Sequence, residues 1–206
     1  MFKTPVQLEF PTHGGRRKGA GRKAGRRVSH HRRPSFEKIT PAIVRLKVKE
    51  DVPSLRASRR FAVIREALKA ARGANGLRVV DFSVMGNHLH FIVEADSSRS
   101  LSRGMQGLCS RLARALNRML KRAGTLFADH YHSRLLSSPT ALVNAIRYVL
   151  TNAERHFGEK VDPCCSSAEA AAVAVAEPRG WLLSVGWLKG RWPKAGPPPG
   201  SRYAVR

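Results

Sequence analysis

The sequence predicts an α+β domain, an antiparallel sheet carrying helices on the split β-α-β, ferredoxin-like plan. Three observations predict it. Short segments alternate apolar and polar residues with period two, as strands do. The segments between them repeat their apolar residues at spacings of three and four, as helices do. The resulting order, β-α-β-β-α-β-α, has that plan in its first six elements.

Each element has its own signal. Ile43 to Lys49 (IVRLKVK) alternates apolar and basic residues and reads as the first strand. Ser54 to Ala71 follows as a helix, with Phe61, Ile64, Leu68 and Ala71 along one face. Gly73 to Gly76 breaks it. Leu77 to Met85 and His88 to Ala95 are strands joined by Gly86-Asn87, a hairpin signature. A long helix spans about Ser100 to Arg122, with Leu101, Met105, Leu108, Leu112, Leu116 and Met119 on its apolar face. Phe127 to Leu136 is the fourth strand. Ser138 then has the character of an N-cap with Pro139 in the first helical position, and that helix runs to about Phe157. Beyond Gly158 the periodicity fades into an Ala-rich stretch, three Trp (Trp181, Trp187, Trp192) and a Pro-Gly run. The chain therefore divides into a basic arm (1–35), a folded domain (36–160) and a C-terminal extension with little fold of its own (161–206).

Charge narrows the function. Lys and Arg total 38 against 14 acidic residues, a formal charge of +24. The partner expected of such a chain is a polyanion, because phosphate contacts release counterions. Residues 11–35 hold nine Lys/Arg and no acid, among them Arg16, Arg17, Lys18, Arg22, Lys23, Arg26 and Arg27. With almost no apolar residues, the segment from His13 to Pro34 is expected to be disordered when free and to contact phosphate. Residues 36–206 keep 28 basic and 13 acidic residues, so the domain is basic in its own right. Arg111, Arg114 and Arg118 on the long helix are candidate nucleic-acid contacts. A membrane partner is not expected: no run approaches the roughly 18 apolar residues of a spanning helix, and the N-terminus lacks signal-peptide order. Three cysteines, two of them adjacent (Cys164, Cys165), form neither a disulfide framework nor a spaced zinc site, which fits a reducing cytoplasm.

The sharpest candidate site is His88-Leu89-His90. Residues two apart on a strand share a face, so both imidazoles project together while Leu89, Phe91 and Val93 face the other side. Two such rings can chelate one metal ion. An isolated His-x-His is more often two inert polar residues at a strand start. This pair gains weight from its place after a turn, within an otherwise apolar strand. A second feature is Tyr148 with Asn152, four residues apart on the last helix and so on one face. A helical tyrosine is ordinarily a packing residue with its hydroxyl at the rim. Together the two features specify a chemistry. A divalent ion can polarise a phosphodiester, and a tyrosine hydroxyl can attack the phosphorus to give a covalent intermediate. Its phenol pKa lies near 10, so the nucleophile needs activation. His130-Tyr131-His132 is a competing His-x-His. It lacks the apolar strand context and an amide partner on a helix, and its plainer role is to face solvent or DNA phosphate.

The run Val84-Met85-Gly86-Asn87-His88-Leu89-His90-Phe91-Ile92-Val93 resembles the motif of the IS200-like and REP-associated single-tyrosine (Y1) HUH transposases. In that family an apolar strand, a short turn ending in Asn, and His-apolar-His occur in order. Arg147-Tyr148-Val149-Leu150-Thr151-Asn152, about 60 residues downstream, resembles the family's tyrosine helix. Phe127 to Arg134 resembles the strand before it. The resemblance covers roughly residues 36–160. It implies that His88, His90 and Asn152 bind Mg²⁺ or Mn²⁺. It also implies that Tyr148 cleaves single-stranded, hairpin-forming DNA through a 5′-phosphotyrosine and transfers the strand in transposition or repeat processing. Departures are Asn152-Ala153 where Asn-Pro is common, and Gly86-Asn87 where Pro-Asn is frequent. A transposase-derived protein that grips DNA hairpins without cutting is the alternative. An RNA-binding sheet is disfavoured, because the strand His88 to Ala95 offers only Phe91 for base stacking. The sequence is compatible with a monomer or a homodimer, and implies a cytoplasmic, nucleoid-associated protein.

Overall fold

A computed structural model describes residues 34–152, 154, 158, 162–194, 196–198 and 200–204. The basic arm, with the seven cations from Arg16 to Arg27, lies outside the described residues.

Four strands, β1 (Thr40–Lys47), β2 (Leu77–Val84), β3 (His88–Ala95) and β4 (His132–Leu135), form one antiparallel sheet in the order β2-β3-β1-β4. Helix α1 (Ser58–Lys69) connects β1 to β2, α2 (Ser98–Leu120) connects β3 to β4, and α3 (Pro139–Leu150) follows β4. This is the expected ferredoxin-like α+β plan with one more helix.

Alternation along the strands sorts side chains into two cores. Ala42, Val44 and Leu46 of β1 and Leu89, Phe91 and Val93 of β3 join Ile64 and Leu68 of α1 and Leu101, Met105, Leu108, Leu112 and Leu116 of α2 in the larger core. On the other face Ile92 and Val80 pack with Leu142, Ala145, Ile146 and Val149 of α3. The sheet is thus buried on both sides, and residues one apart on β1 or β3 belong to different cores. The register between β2 and β3 shifts between Val79 and Asp81, a bulge that leaves Val80 in the second core while Val79 stays in the first.

Element ends follow local hydrogen bonds. Ser97 caps α2 by accepting from Ser100 N, and Ser138 caps α3 by accepting from Ala141 N, with Pro139 at its start. Helix α1 begins at Ser58 and not at Ser54, because Ala57 is extended and Leu55 N donates to Gly86 O, tying that loop to the β-hairpin turn. The fourth strand is shorter than the expected Phe127 to Leu136. Phe127 forms only an isolated bridge with Val48, and the Asp129 carboxylate accepts from His130 N, turning the chain before β4 starts.

The C-terminal extension is docked against the domain. Val84 N donates to Cys164 O, Ser166 N to Phe82 O and Ala176 N to Val79 O, so residues 164–176 cover the outer edge of β2. Two short helices, α4 (Glu169–Ala172) and α5 (Trp181–Ser184), follow. Arg179 N and Gly180 N each donate to the buried Glu94 carboxylate, which also accepts from Arg78. A side chain at Gly180 would collide with Glu94 and Ile39, so only glycine permits this approach. Trp187, Trp192 and Tyr203 pack edge-on around the second core.

Candidate active site

The hairpin turn positions the histidine pair. Met85 N donates to His88 O, Val48 N to Asn87 O and Leu55 N to Gly86 O, which pins the turn from three sides. Strand β3 leaves it with His88 half-buried and His90 almost wholly buried, both on the α3 face. Their ring centroids lie 4.8 Å apart, edge to face. The next ring in the row is Tyr148 of α3, 5.0 Å from His90 and again nearly perpendicular. Tyr148 Oη approaches His90 Nε2 at 3.5 Å, a loose contact that leaves the hydroxyl within reach of a group bound at the imidazole. Tyr148 is 39% exposed, so a substrate can reach it from solvent. The structure therefore brings together His88, His90 and Tyr148, 58 residues apart in sequence at the His90–Tyr148 contact.

The donor set suits a divalent ion. The Asn87 amide oxygen lies 2.8 Å from His88 Nδ1. An oxygen acceptor there requires the hydrogen on Nδ1 and leaves the Nε2 lone pair for a ligand, the usual outer support of a metal-bound histidine. Among the described residues no group of three His, Cys, Asp or Glu converges on one point, so any third protein donor would be an amide or a hydroxyl. Asn152 is 2% exposed, and its Nδ2 has no hydrogen-bond partner among the described residues. The amide nitrogen is a hydrogen-bond donor, so only the Asn152 Oδ1 could serve as a metal donor.

The spacing of Tyr148 and Asn152 is less regular than an unbroken helix would make it. Helix α3 ends at Leu150, and Thr151 leaves helical geometry at φ −105° while both its N and its Oγ1 donate to Arg147 O. The remainder of the expected helix to Phe157 falls mostly outside the described residues. The amide one regular turn from Tyr148 is Asn144, which lines the same cavity.

That cavity, of about 430 Å³, shows what the sequence reading missed. Ile43, Arg45, His90, His132, Arg134, Asn144 and Tyr148 line it. His132, the less favoured His-x-His member, thus borders the tyrosine. Arg45 is signalled only by the alternation of basic with apolar residues in β1, and Arg134 by no pattern of its own. Arg111, Arg114 and Arg118 are not brought to the site. They are exposed on α2, whose buried face packs in the larger core on the opposite side of the sheet.

Comparison with known proteins agrees with this layout. The family model described as "Transposase IS200 like" matches residues 42–152, more than half of the chain, including α3 and all but the first two residues of the sheet. The match makes this a protein of the transposase kind. The chain belongs to the IS200-like Y1 transposase family. Among solved structures it is similar to the REP-associated tyrosine transposase bound to a REP hairpin, with a TM-score of 0.58 and 12% identity, covering 77% of this chain and 97% of that one. At that identity the likeness shows the fold. A candidate transposase from Deinococcus radiodurans R1 aligns with a TM-score of 0.41 and 16% identity, over 56% of this chain and 90% of that one. No curated protein sequence matches the chain. No helix among the described residues is long and apolar enough to cross a membrane.

Proposed function

We propose that this transposase-family protein cleaves and rejoins single-stranded DNA next to a hairpin, with Tyr148 as nucleophile. The observation that carries the reading is the Tyr148 hydroxyl, solvent-accessible and 3.5 Å from His90 Nε2 at the end of a stacked His88–His90–Tyr148 row. In the first step Tyr148 Oη forms a bond to the scissile phosphorus as the P–O3′ bond breaks. The phenol gives up its proton and the departing 3′-oxygen gains one, leaving a 5′-phosphotyrosine and a free 3′-hydroxyl. Attack by a 3′-hydroxyl on that phosphotyrosine reverses the step on another strand. Phosphodiester linkages are exchanged, so no external energy source is required.

His88 and His90 would hold a divalent ion, Mg²⁺ or Mn²⁺, with the Asn152 amide oxygen as third donor. Imidazole ligands favour manganese and availability favours magnesium. When bound, such an ion withdraws charge from the phosphate. The chain's own residues do the positioning: Asn87 orients His88, and α3 sets the hydroxyl over the pair. The basic arm, the cations from Arg16 to Arg27, and Arg111, Arg114 and Arg118 would add phosphate contacts away from the reacting atoms. A REP hairpin is the ligand of the structural neighbour, and a hairpin with a single-stranded flank is the substrate class proposed here.

The test is incubation of the protein with end-labelled hairpin DNA and Mn²⁺, followed by a denaturing gel. A covalent protein–DNA adduct that forms with the native chain and not with Tyr148→Phe supports the reading. Hairpin binding with no adduct in any divalent metal would replace it with the non-catalytic hairpin-binding alternative.

A further inference from the structure

A cross-strand row of the sheet continues past the histidine pair into residues that take no part in the bond exchange. In the register of the sheet His90 of β3 is the Cα partner of Arg45 of β1, and Arg45 is in turn the partner of His132 of β4. Partnered residues in an antiparallel sheet point to the same face, so this row runs from the histidine pair straight across to the β4 edge beneath Tyr148. Lys47, partner of His88, and Arg134, partner of Ile43, extend it by one step on either side. Arg45, Lys47, His132 and Arg134 are all exposed.

Place, and not lack of a partner alone, distinguishes these cations: Arg45 and Arg134 line the cavity of Tyr148 and are not neutralised there. Arg78 is bonded to Glu94 and Asp96, Arg56 to Asp162, Arg122 to Asp51 and Arg202 to Glu177. Among the described residues no carboxylate pairs with Arg45, Lys47 or Arg134. Arg45 and Arg134 line the cavity that contains the nucleophile, with Lys47 on the same sheet face, and together they constitute a site for anions. Neighbouring strands are about 4.8 Å apart, so β4 lies roughly 10 Å from β3. That is far enough for the row to hold a different phosphate from the one attacked at Tyr148.

We infer that Arg45 and Arg134, with His132 beside them, bind the backbone phosphate adjacent to the scissile one and lead the single strand off the sheet across the β4 edge. Arg45 supplies a planar fork suited to two phosphate oxygens. Arg134 stands one row further along β4, where a strand leaving Tyr148 would pass. These groups act as positioning residues: they fix which linkage sits under the hydroxyl and take no part in bond exchange. The inference rests on the cleavage reading above, and its test separates the two.

Binding is measured on the full chain carrying Tyr148→Phe, so that nothing is cut, with a labelled hairpin bearing a single-stranded flank. Adding Arg45→Gln and Arg134→Gln should weaken binding and lower the slope of log K against log salt by about 0.7, the value for one single-strand phosphate contact. The pair Arg59→Gln and Lys69→Gln, exposed on α1 on the far side of the sheet, should leave the contribution of the flank unchanged when hairpins with and without it are compared. With Tyr148 restored, an uncharged methylphosphonate at one linkage next to the mapped cleavage site should reduce adduct about tenfold in the native chain. The same substitution should cause little further loss in Arg45→Gln. An unchanged salt slope in the Arg45/Arg134 variant, or an equal methylphosphonate effect with and without Arg45, would overturn the inference. Absence of adduct from every protein would overturn the cleavage reading, while the salt slope still decides the phosphate row.

Discussion

The docked extension makes stability depend on pH through one buried carboxyl. Asp81 is buried on β2, accepting a hydrogen bond from Tyr203 Oη at 2.6 Å and another from Ser166 Oγ at 3.1 Å. Burial pushes its pKa up from 3.8 to about 6, against the lowering effect of the Tyr203 hydrogen bond. The folded state therefore holds this proton more tightly than the unfolded chain. Between about pH 4 and pH 6 the native state binds the extra proton, so stability falls as pH rises through that window and levels off above it. A shift of about two units corresponds to about 3 kcal/mol. Asp81→Asn should remove this contribution, because the amide keeps an acceptor for Tyr203 and has no charge to desolvate. Tyr203→Phe should act in the opposite sense. It removes the donor that stabilises the carboxylate, costing about 2 kcal/mol above pH 7, where the bond is charge-assisted, and about 1 kcal/mol near pH 4. Urea unfolding of the full chain at half-unit steps from pH 4 to 8 measures all three proteins. If Asp81→Asn retains the native slope between pH 4 and 6, or Tyr203→Phe costs as much at pH 4 as at pH 8, the assignment of this linkage to Asp81 is wrong.

Other outcomes follow from the site. Tyr148→Phe should abolish adduct yet change unfolding free energy by less than about 0.5 kcal/mol, since the hydroxyl is at an accessible rim; adduct that survives it and disappears with Tyr131→Phe would reassign the nucleophile. His88→Ala should remove metal-dependent cleavage with little loss of stability, whereas His90→Ala, nearly fully buried, should lose both cleavage and roughly 1–3 kcal/mol; calorimetric Mn²⁺ titration should show weakened binding in each. Asn152→Ala should weaken Mn²⁺ binding and Asn144→Ala should not, and the reverse result would move the third donor to the regular turn before Tyr148. Deleting residues 13–34 should weaken binding to every DNA tested and flatten its salt dependence, with the cleavage position on a bound hairpin unchanged; a shifted site would mean that the arm reads sequence.

The alternation rule explains both what the sequence revealed and what it concealed. Leu89 between His88 and His90 was enough to put two imidazoles on one face and the apolar residues on the other, because period two is a property of every strand. The same rule applied to IVRLKVK placed Arg45 and Lys47 on one face, but could not say which. That depends on the partner of β1, and pairing between β1 and β3 joins residues nearly fifty positions apart. Charge density singled out α2 for its Arg111, Arg114 and Arg118. A helix's polar side is by construction the side away from its sheet, however, and α2 packs on the face opposite Tyr148. His132 has no apolar strand around it to mark it in the sequence. Its strand is an edge of four residues on which His132 and Arg134 are exposed, and an edge beside an accessible nucleophile is where a single strand could leave the sheet. The extension lacked a periodic pattern because its residues bury themselves on the domain. Tyr203 meets Asp81, and Arg179 and Gly180 meet Glu94, through contacts spanning 85 to 122 positions, for which no local spacing carries a signal. The parts legible in advance were those whose chemistry and geometry sit within one element. The phosphate row is a property of three strands in register, and only their pairing brings it into existence.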